Sequence, residues 1–166
     1  MIRVRVISAR GSTPREAGAE MIVTPDDTQG TIGGGQLEYM AVDRARSQVA
    51  ALLAWPAAGV VFTSGASESN ATVLSNGRWA ASAVDHPSVR AWAVALLPVN
   101  ERGEVHLDAI DTIEGVDGVS VMLANNETGV VQPVANVIAR AHARGLLVHV
   151  DAAQAPGRVS IVGLAG

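Results

Sequence analysis

Leu146-Leu-Val-His-Val-Asp-Ala-Ala-Gln-Ala-Pro-Gly157 is the stretch whose reading decides the fold. Residues 146–150 form a short apolar run, and the helical pattern before them ends at Arg144-Gly145. A helix closed by Gly and followed at once by a β-rich run is the second half of a βαβ unit. In open α/β sheets, ligands gather outside the carboxyl ends of the strands. Asp151 is the first residue past the apolar run, and Gln154, three residues on, is placed to reach the same ligand. From these residues alone, Asp151 either caps the next turn or faces water, a helix N-terminus or a cation on a ligand.

Working outward, residues 133–144 are amphipathic, with Val134, Val137, Ile138 and Ala141 on one helical face. Residues 119–124 are a continuous apolar strand that runs into Asn125-Asn-Glu-Thr-Gly129. Residues 107–113 read as a short helix and 96–99 as a strand. Residues 79–84 read as a strand that ends at Asp85-His-Pro87. His86 thus lies at a strand-to-helix junction, where an imidazole caps, packs or stacks on a planar ligand. Residues 60–62 read as a buried strand leading into Thr63-Ser-Gly-Ala-Ser-Glu-Ser-Asn70, with Ser67 a fair helix N-cap. A helix opening with hydroxyls and free amides after a strand is either an anion site or a plain capped helix. Strand and helix alternate throughout, which predicts an α/β layer with a largely parallel sheet flanked by helices.

The N-terminal part is different. Residues 2–8 alternate apolar and polar, as a half-exposed strand does, and a polar loop follows at residues 9–18. Residues 21–24 are a second strand, 25–28 a turn, 30–35 a Gly-rich loop and 36–55 a helix. The Gly-rich loop lacks both a P-loop Lys and the Rossmann spacing, so it reads as a tight packing turn.

Composition narrows the chemistry. The 166 residues carry a net charge of −4, which disfavours a nucleic-acid surface. All 12 basic residues are Arg, and the sequence holds neither Lys nor Cys. A disulfide framework, a thiolate zinc site, a thiol nucleophile and a lysine Schiff base are therefore excluded. The longest uncharged run, residues 47–67, contains Gln48, Pro56 and Gly59 and changes period at the Pro, so it reads as helix, turn and strand rather than a membrane span. Arg3, Arg5 and Arg10 interrupt the first apolar stretch, so no secretory signal is evident and a cytoplasmic location is expected.

Residues 1–46 resemble the N-terminal segment of the xanthine dehydrogenase accessory factor (XdhC) family. The matching strings are Ala9-Arg-Gly-Ser-Thr-Pro-Arg15, Glu16-Ala-Gly18 and Gly30-Thr-Ile-Gly-Gly-Gly35 with Leu37-Glu38. That resemblance implies a role in handling molybdenum cofactor for a molybdenum hydroxylase.

From about residue 43 onward the chain resembles the large domain of cysteine desulfurases, fold-type I pyridoxal phosphate enzymes of the class V aminotransferase family. Ser64-Gly-Ala-Ser-Glu-Ser-Asn70 is similar to that family's phosphate-binding turn, Asp85-His-Pro-Ser-Val89 to the segment whose His stacks on the pyridine ring, Asn125-Asn-Glu-Thr-Gly129 to its signature loop, and Val150-Asp-Ala-Ala-Gln154 to its cofactor strand end. The resemblance implies pyridoxal 5'-phosphate as cofactor, contacted by Ala66, Ser67, His86, Asn126, Asp151 and Gln154, with His86 also catalytic and no metal. In this family the Asp keeps the ring nitrogen protonated, which makes the ring a better electron sink.

The expected arrangement is an XdhC-like segment at residues 1–46 and a partial pyridoxal phosphate domain at residues 47–166. The family's cofactor-anchoring Lys and sulfur-accepting Cys are both lacking, so the chain is expected to be a truncated or fused form. Cofactor binding would be weak and non-covalent, and turnover absent. A non-catalytic accessory or scaffold protein is the alternative. A homodimer, or a complex with a molybdenum hydroxylase maturation factor, is the expected partnership, with neither nucleic acid nor membrane.

Overall fold

The computed structural model describes residues 2–5, 16–23 and 28–161. The chain divides into two units, residues 1–65 and 66–164, and each is described by itself.

In the first unit, β1 (Ile2–Arg5), β2 (Glu20–Val23) and β3 (Thr28–Gly30) form an antiparallel sheet in that order. Met21, in the central strand, is fully buried. Strand β3 replaces the turn and loop that the sequence predicts there. Gly30 pairs with Met21 at φ +81°, and a Cβ on it would strike the backbone of Glu20. Only Gly serves at that position. The motif residues 9–15 and residues 24–27, where the end of a strand and most of a turn are predicted, lie outside the described residues.

Helix α1 (Gly35–Leu53) ends at Ala54, which adopts a left-handed conformation at φ 51°. The strand predicted at residues 60–62 does not form. Val60 is buried and Val61 is 75% exposed, and no ladder is found there. Instead, the Arg46 side chain of α1 donates to the Val60 carbonyl, and its guanidinium lies 5.3 Å from the centre of the Phe62 ring. The apolar run is pinned to a helix, and its backbone pairs with no strand.

The second unit is the parallel layer that the alternation predicts. Helix α2 (Ala66–Leu74) precedes β4 (Trp79–Ser82), α3 (Pro87–Arg90), β5 (Ala93–Leu97), α4 (Leu107–Thr112), β6 (Gly118–Met122), α5 (Val134–Ala143) and β7 (Leu147–Asp151). The four strands lie in the order β5-β4-β6-β7, and every neighbouring pair is parallel. β4 and β6 are buried along their whole length, as expected of central strands covered by helices. Strand β5 begins three residues earlier than its predicted position, and helix α2 opens at Ala66, so Ser67 lies inside the first turn rather than at the cap.

Period-2 alternation sorts the side chains between the two faces. Trp79 meets His149 edge-on at 6.4 Å, and Ser120 is hydrogen-bonded to His149, so residues 79, 120, 149 and 151 share one face. Leu74, Trp79, Ala81 and Val89 build a core cluster. Gly118 lets the Trp79 ring pack closely against β6. A Cβ there would come within 2.5 Å of the ring and 2.7 Å of the Leu147 carbonyl. Val119 and Val121 point the other way and are fully buried, and α5 packs against β6 and β7 through an amphipathic stripe of Val134, Val137 and Ala141.

Candidate functional site

The polar side chains concentrate at the carboxyl ends of the parallel strands. Asp151 is the last residue of β7, in register with Met122 of β6, and is 8% exposed. Its Oδ2 accepts from Nδ2 of Asn70 at 3.0 Å, and its Oδ1 accepts from the Ala153 backbone N–H at 3.0 Å. The carboxylate therefore stabilises the turn after β7 and also ties it to α2. The bond from Ala153 is the turn-capping reading of Asp151, and the bond from Asn70 belongs to neither reading.

Asn70 is buried, and the other bond from its Nδ2 goes to Oγ of Ser88 at 3.1 Å. Ser88 Oγ lies 2.8 Å from Nδ1 of His86, and the Ser88 backbone N–H donates to the same nitrogen at 3.2 Å. With an N–H donating to it, Nδ1 of the neutral ring is an acceptor, so the ring proton sits on Nε2. His86 is the N-cap of α3, with Pro87 at the first helical position, and its ring is exposed. An unbroken hydrogen-bonded line thus runs from Asp151 through Asn70 and Ser88 to His86.

The other sequence-predicted residues are placed differently. Ala66 and Ser67 form the exposed opening turn of α2, one turn before the buried Asn70. Asn126 is exposed in the loop after β6, and the buried neighbour Asn125 holds that loop. Asn125 Oδ1 accepts from the N–H groups of Glu127 and Thr128, both at 2.8 Å, and its Nδ2 donates to the Val84 carbonyl at 3.0 Å. Gln154 turns toward Arg158, whose guanidinium donates to Gln154 Oε1 at 2.7 Å. Neither Asn126 nor Gln154 is joined to the Asp151–His86 line by the hydrogen bonds described here.

Asn70 and Ser88 lie within the motifs of the sequence but carry no role in its reading. A signal for Asn70 was present: it lies four residues before Leu74 on the buried stripe of α2, where an amide requires a partner. Asp85, which the motif reading leaves without a role, is 2% exposed and accepts from Ser82 N–H at 3.2 Å and Met122 N–H at 2.7 Å. Burial pushes its carboxyl up to about 7, and the negative charge of Asp151 adds to the rise while the hydrogen bonds from Met122, Ser82 and Ser120 oppose it. Burial likewise lowers the pKa of the His149 imidazole, against the pull of Asp151. Among the described residues, no group of His, Asp or Glu is arranged to hold a metal ion. No described helix is long and apolar enough to cross a membrane.

The chain matches the aminotransferase class-V family over residues 30–161 and the XdhC and CoxI family over residues 1–53. It is 35% identical over 147 residues to a cysteine desulfurase of Nostoc sp. strain PCC 7120, a match that covers 77% of this chain and 36% of that one. Among solved structures it resembles a NifS-like protein, with TM-score 0.69 and 27% identity over 86% of this chain and 44% of the other. It also resembles the apo cysteine desulfurase of Thermococcus onnurineus, with TM-score 0.67 and 25% identity over 76% of this chain and 36% of the other. The chain thus spans little more than a third of the curated relative it matches.

Proposed function

The chain belongs to the aminotransferase class-V family, and from that premise we propose that its parallel unit carries the non-covalent half of a pyridoxal 5'-phosphate site of the cysteine desulfurase type. The carrying observation is the buried Asp151 carboxylate at the end of β7, held by Asn70 in the line that ends on the exposed His86 ring. The donor chemistry fits a protonated pyridine. A buried acceptor with a free lone-pair direction takes an N–H⁺ strongly, and a flat exposed imidazole offers a stacking face. The opening turn of α2, with Ala66 and Ser67, supplies amides and a hydroxyl for a phosphate at the positive end of the helix dipole.

When bound, pyridoxal phosphate supplies a ring that accepts electron density from a substrate carbon. Toward that chemistry, Asp151 holds the ring nitrogen's proton, His86 orients the ring, and Asn70 keeps both in place. These 166 residues include no Lys to anchor the cofactor and no Cys to accept sulfur, so binding is reversible and this chain alone does not turn over cysteine. The match of residues 1–53 to the XdhC and CoxI family favours a second reading, a non-catalytic accessory role in molybdenum cofactor handling.

Equilibrium dialysis of the purified chain against pyridoxal phosphate tests the proposal, with Asp151→Ala alongside. Reversible binding that the substitution abolishes is the expected result. Equal binding by both proteins, or none by the parent chain, overturns it and leaves the accessory reading.

A further inference from the structure

The β4–β6 ladder is shorter than its neighbour. It pairs Trp79 with Gly118, Ala80 with Val119 and Ala81 with Ser120, whereas β6–β7 continues to Met122 and Asp151. Past its last rung the Met122 N–H has no β4 carbonyl to meet, and the Asp85 carboxylate takes it at 2.7 Å. The other oxygen of the same carboxylate takes the N–H of Ser82, the last residue of β4. Asp85 therefore completes the sheet by side chain where backbone pairing stops. Met122 is the register partner of Asp151, and the N–H of Leu123 donates to the Asp151 carbonyl at 2.8 Å. On the other side, Asp85 is followed directly by His86.

We propose that Asp85 is a positioning residue for the ligand site. By bridging the carboxyl ends of β4 and β6 it sets where Asp151 stands, and a cation held at Asp151 draws Asp85 into its charged form. This inference rests on the site proposed above but does not need the cofactor to be tested.

Charge linkage follows from the surroundings of Asp85. Asp151 on β7 is the charged group acting on it, and Ser120 on β6 is hydrogen-bonded to it. Ser120 also lies 2.9 Å from Nδ1 of His149, so the imidazole on β7 is tied to the same carboxyl through one hydroxyl. His86 presents its ring outward from the next position. The negative charge of Asp151 disfavours a second one on Asp85. Neutralising Asp151, by substitution or by a bound cation, removes that obstacle, so the cation's binding releases a proton from Asp85 and strengthens as pH rises.

Two measurements test the proposal. In the ligand-free chain, carboxyl-carbon NMR follows the titration of Asp85 in the parent protein and in Asp151→Asn. The midpoint is expected to fall in the variant, and an unchanged midpoint overturns the linkage. In Asp85→Asn, one of the two backbone bridges is lost because an amide nitrogen cannot accept from an N–H. The Asn70 side-chain and Ala153 backbone amide resonances, which report on Asp151, are expected to move. If both stay in place in the folded variant, positioning is refuted, and if this variant does not fold, the Asp151→Asn titration decides alone. Pyridoxal phosphate titrations from about pH 6 to about pH 8 then add a third readout. The parent chain is expected to gain affinity across that range, and Asp85→Asn to bind about tenfold more weakly without the gain. Identical profiles sink the inference while leaving the cofactor site standing. Absence of binding to the parent chain sinks the cofactor reading, while the ligand-free NMR still decides the role of Asp85.

Discussion

The side-chain amide of Asn70 donates at 3.0 Å to Oδ2 of Asp151, 81 residues further along the chain. This bond joins the second turn of α2 to the end of β7, and through Ser88 it reaches the ring of His86. Removing the amide leaves a carboxylate oxygen buried without that donor. Asn70→Ala is therefore expected to destabilise the parallel unit by about 1–3 kcal/mol. Urea denaturation checks the size, and a midpoint equal to that of the parent chain would count against the bond as a structural tie.

The Asp85 carboxyl gives stability a pH dependence of definite sign. Its ordinary value of 3.8 applies to the unfolded chain, and folding raises it to about 7. Between those values the folded chain holds a proton that the unfolded chain has released. Asp85 therefore makes the protein less stable as pH rises through this window, by up to about 1.4 kcal/mol per pH unit, and adds no further slope above it. His149 acts oppositely. Its lowered pKa means that the unfolded chain takes up a proton first as pH falls below the ordinary 6.5, so its contribution to stability is lost toward acid. Denaturation series at several pH values should show the downward slope steepen in His149→Gln and vanish in Asp85→Asn. A slope unchanged by Asp85→Asn would show that the proton is held elsewhere.

Gly118 is confined by the Trp79 ring on one side and the Leu147 carbonyl on the other. Gly118→Ala forces the indole off the central strand, and a loss of about 1–3 kcal/mol is expected from the overpacking. Near-ultraviolet circular dichroism, which reports the indole environment, should change with it. A spectrum and midpoint matching the parent chain would mean that the ring moves freely.

Among the described residues, strand β5 pairs only with β4, and it carries Val94 and Leu96, each more than half exposed. An unpaired edge with exposed apolar side chains recruits other strands. Light scattering should show concentration-dependent association of the purified chain, reduced by Leu96→Lys. A monomer at every concentration tested is the contrary outcome.

Cysteine offered to the purified chain with pyridoxal phosphate under reducing conditions should yield neither alanine nor sulfide. The residues here provide no lysine amine and no thiol acceptor. Turnover that persists after every contaminating desulfurase is removed would refute this expectation and show that another chain completes the site.

The sequence by itself determined the alternation of strand and helix, the end of α5 at Arg144 and Gly145, and the polar strings that follow each parallel strand. These are local properties. Apolar period, Gly at a helix end and polar residues after a β run are set by neighbours a few positions away. Tertiary structure decided the rest. It made β3 a strand, because Gly30 lies against the backbone of β2. It denied a strand to residues 60–62, because Arg46 claims the Val60 carbonyl. It also turned Gln154 toward Arg158, buried Asn125 while leaving Asn126 exposed, and gave Asn70 and Asp85 partners on other strands and helices. The composition of a motif states which polar groups are available. Which of them are buried, and so obliged to find a partner, depends on the register of β6 against β7 and on where the β4–β6 ladder stops, and those are fixed by contacts between residues far apart in the chain.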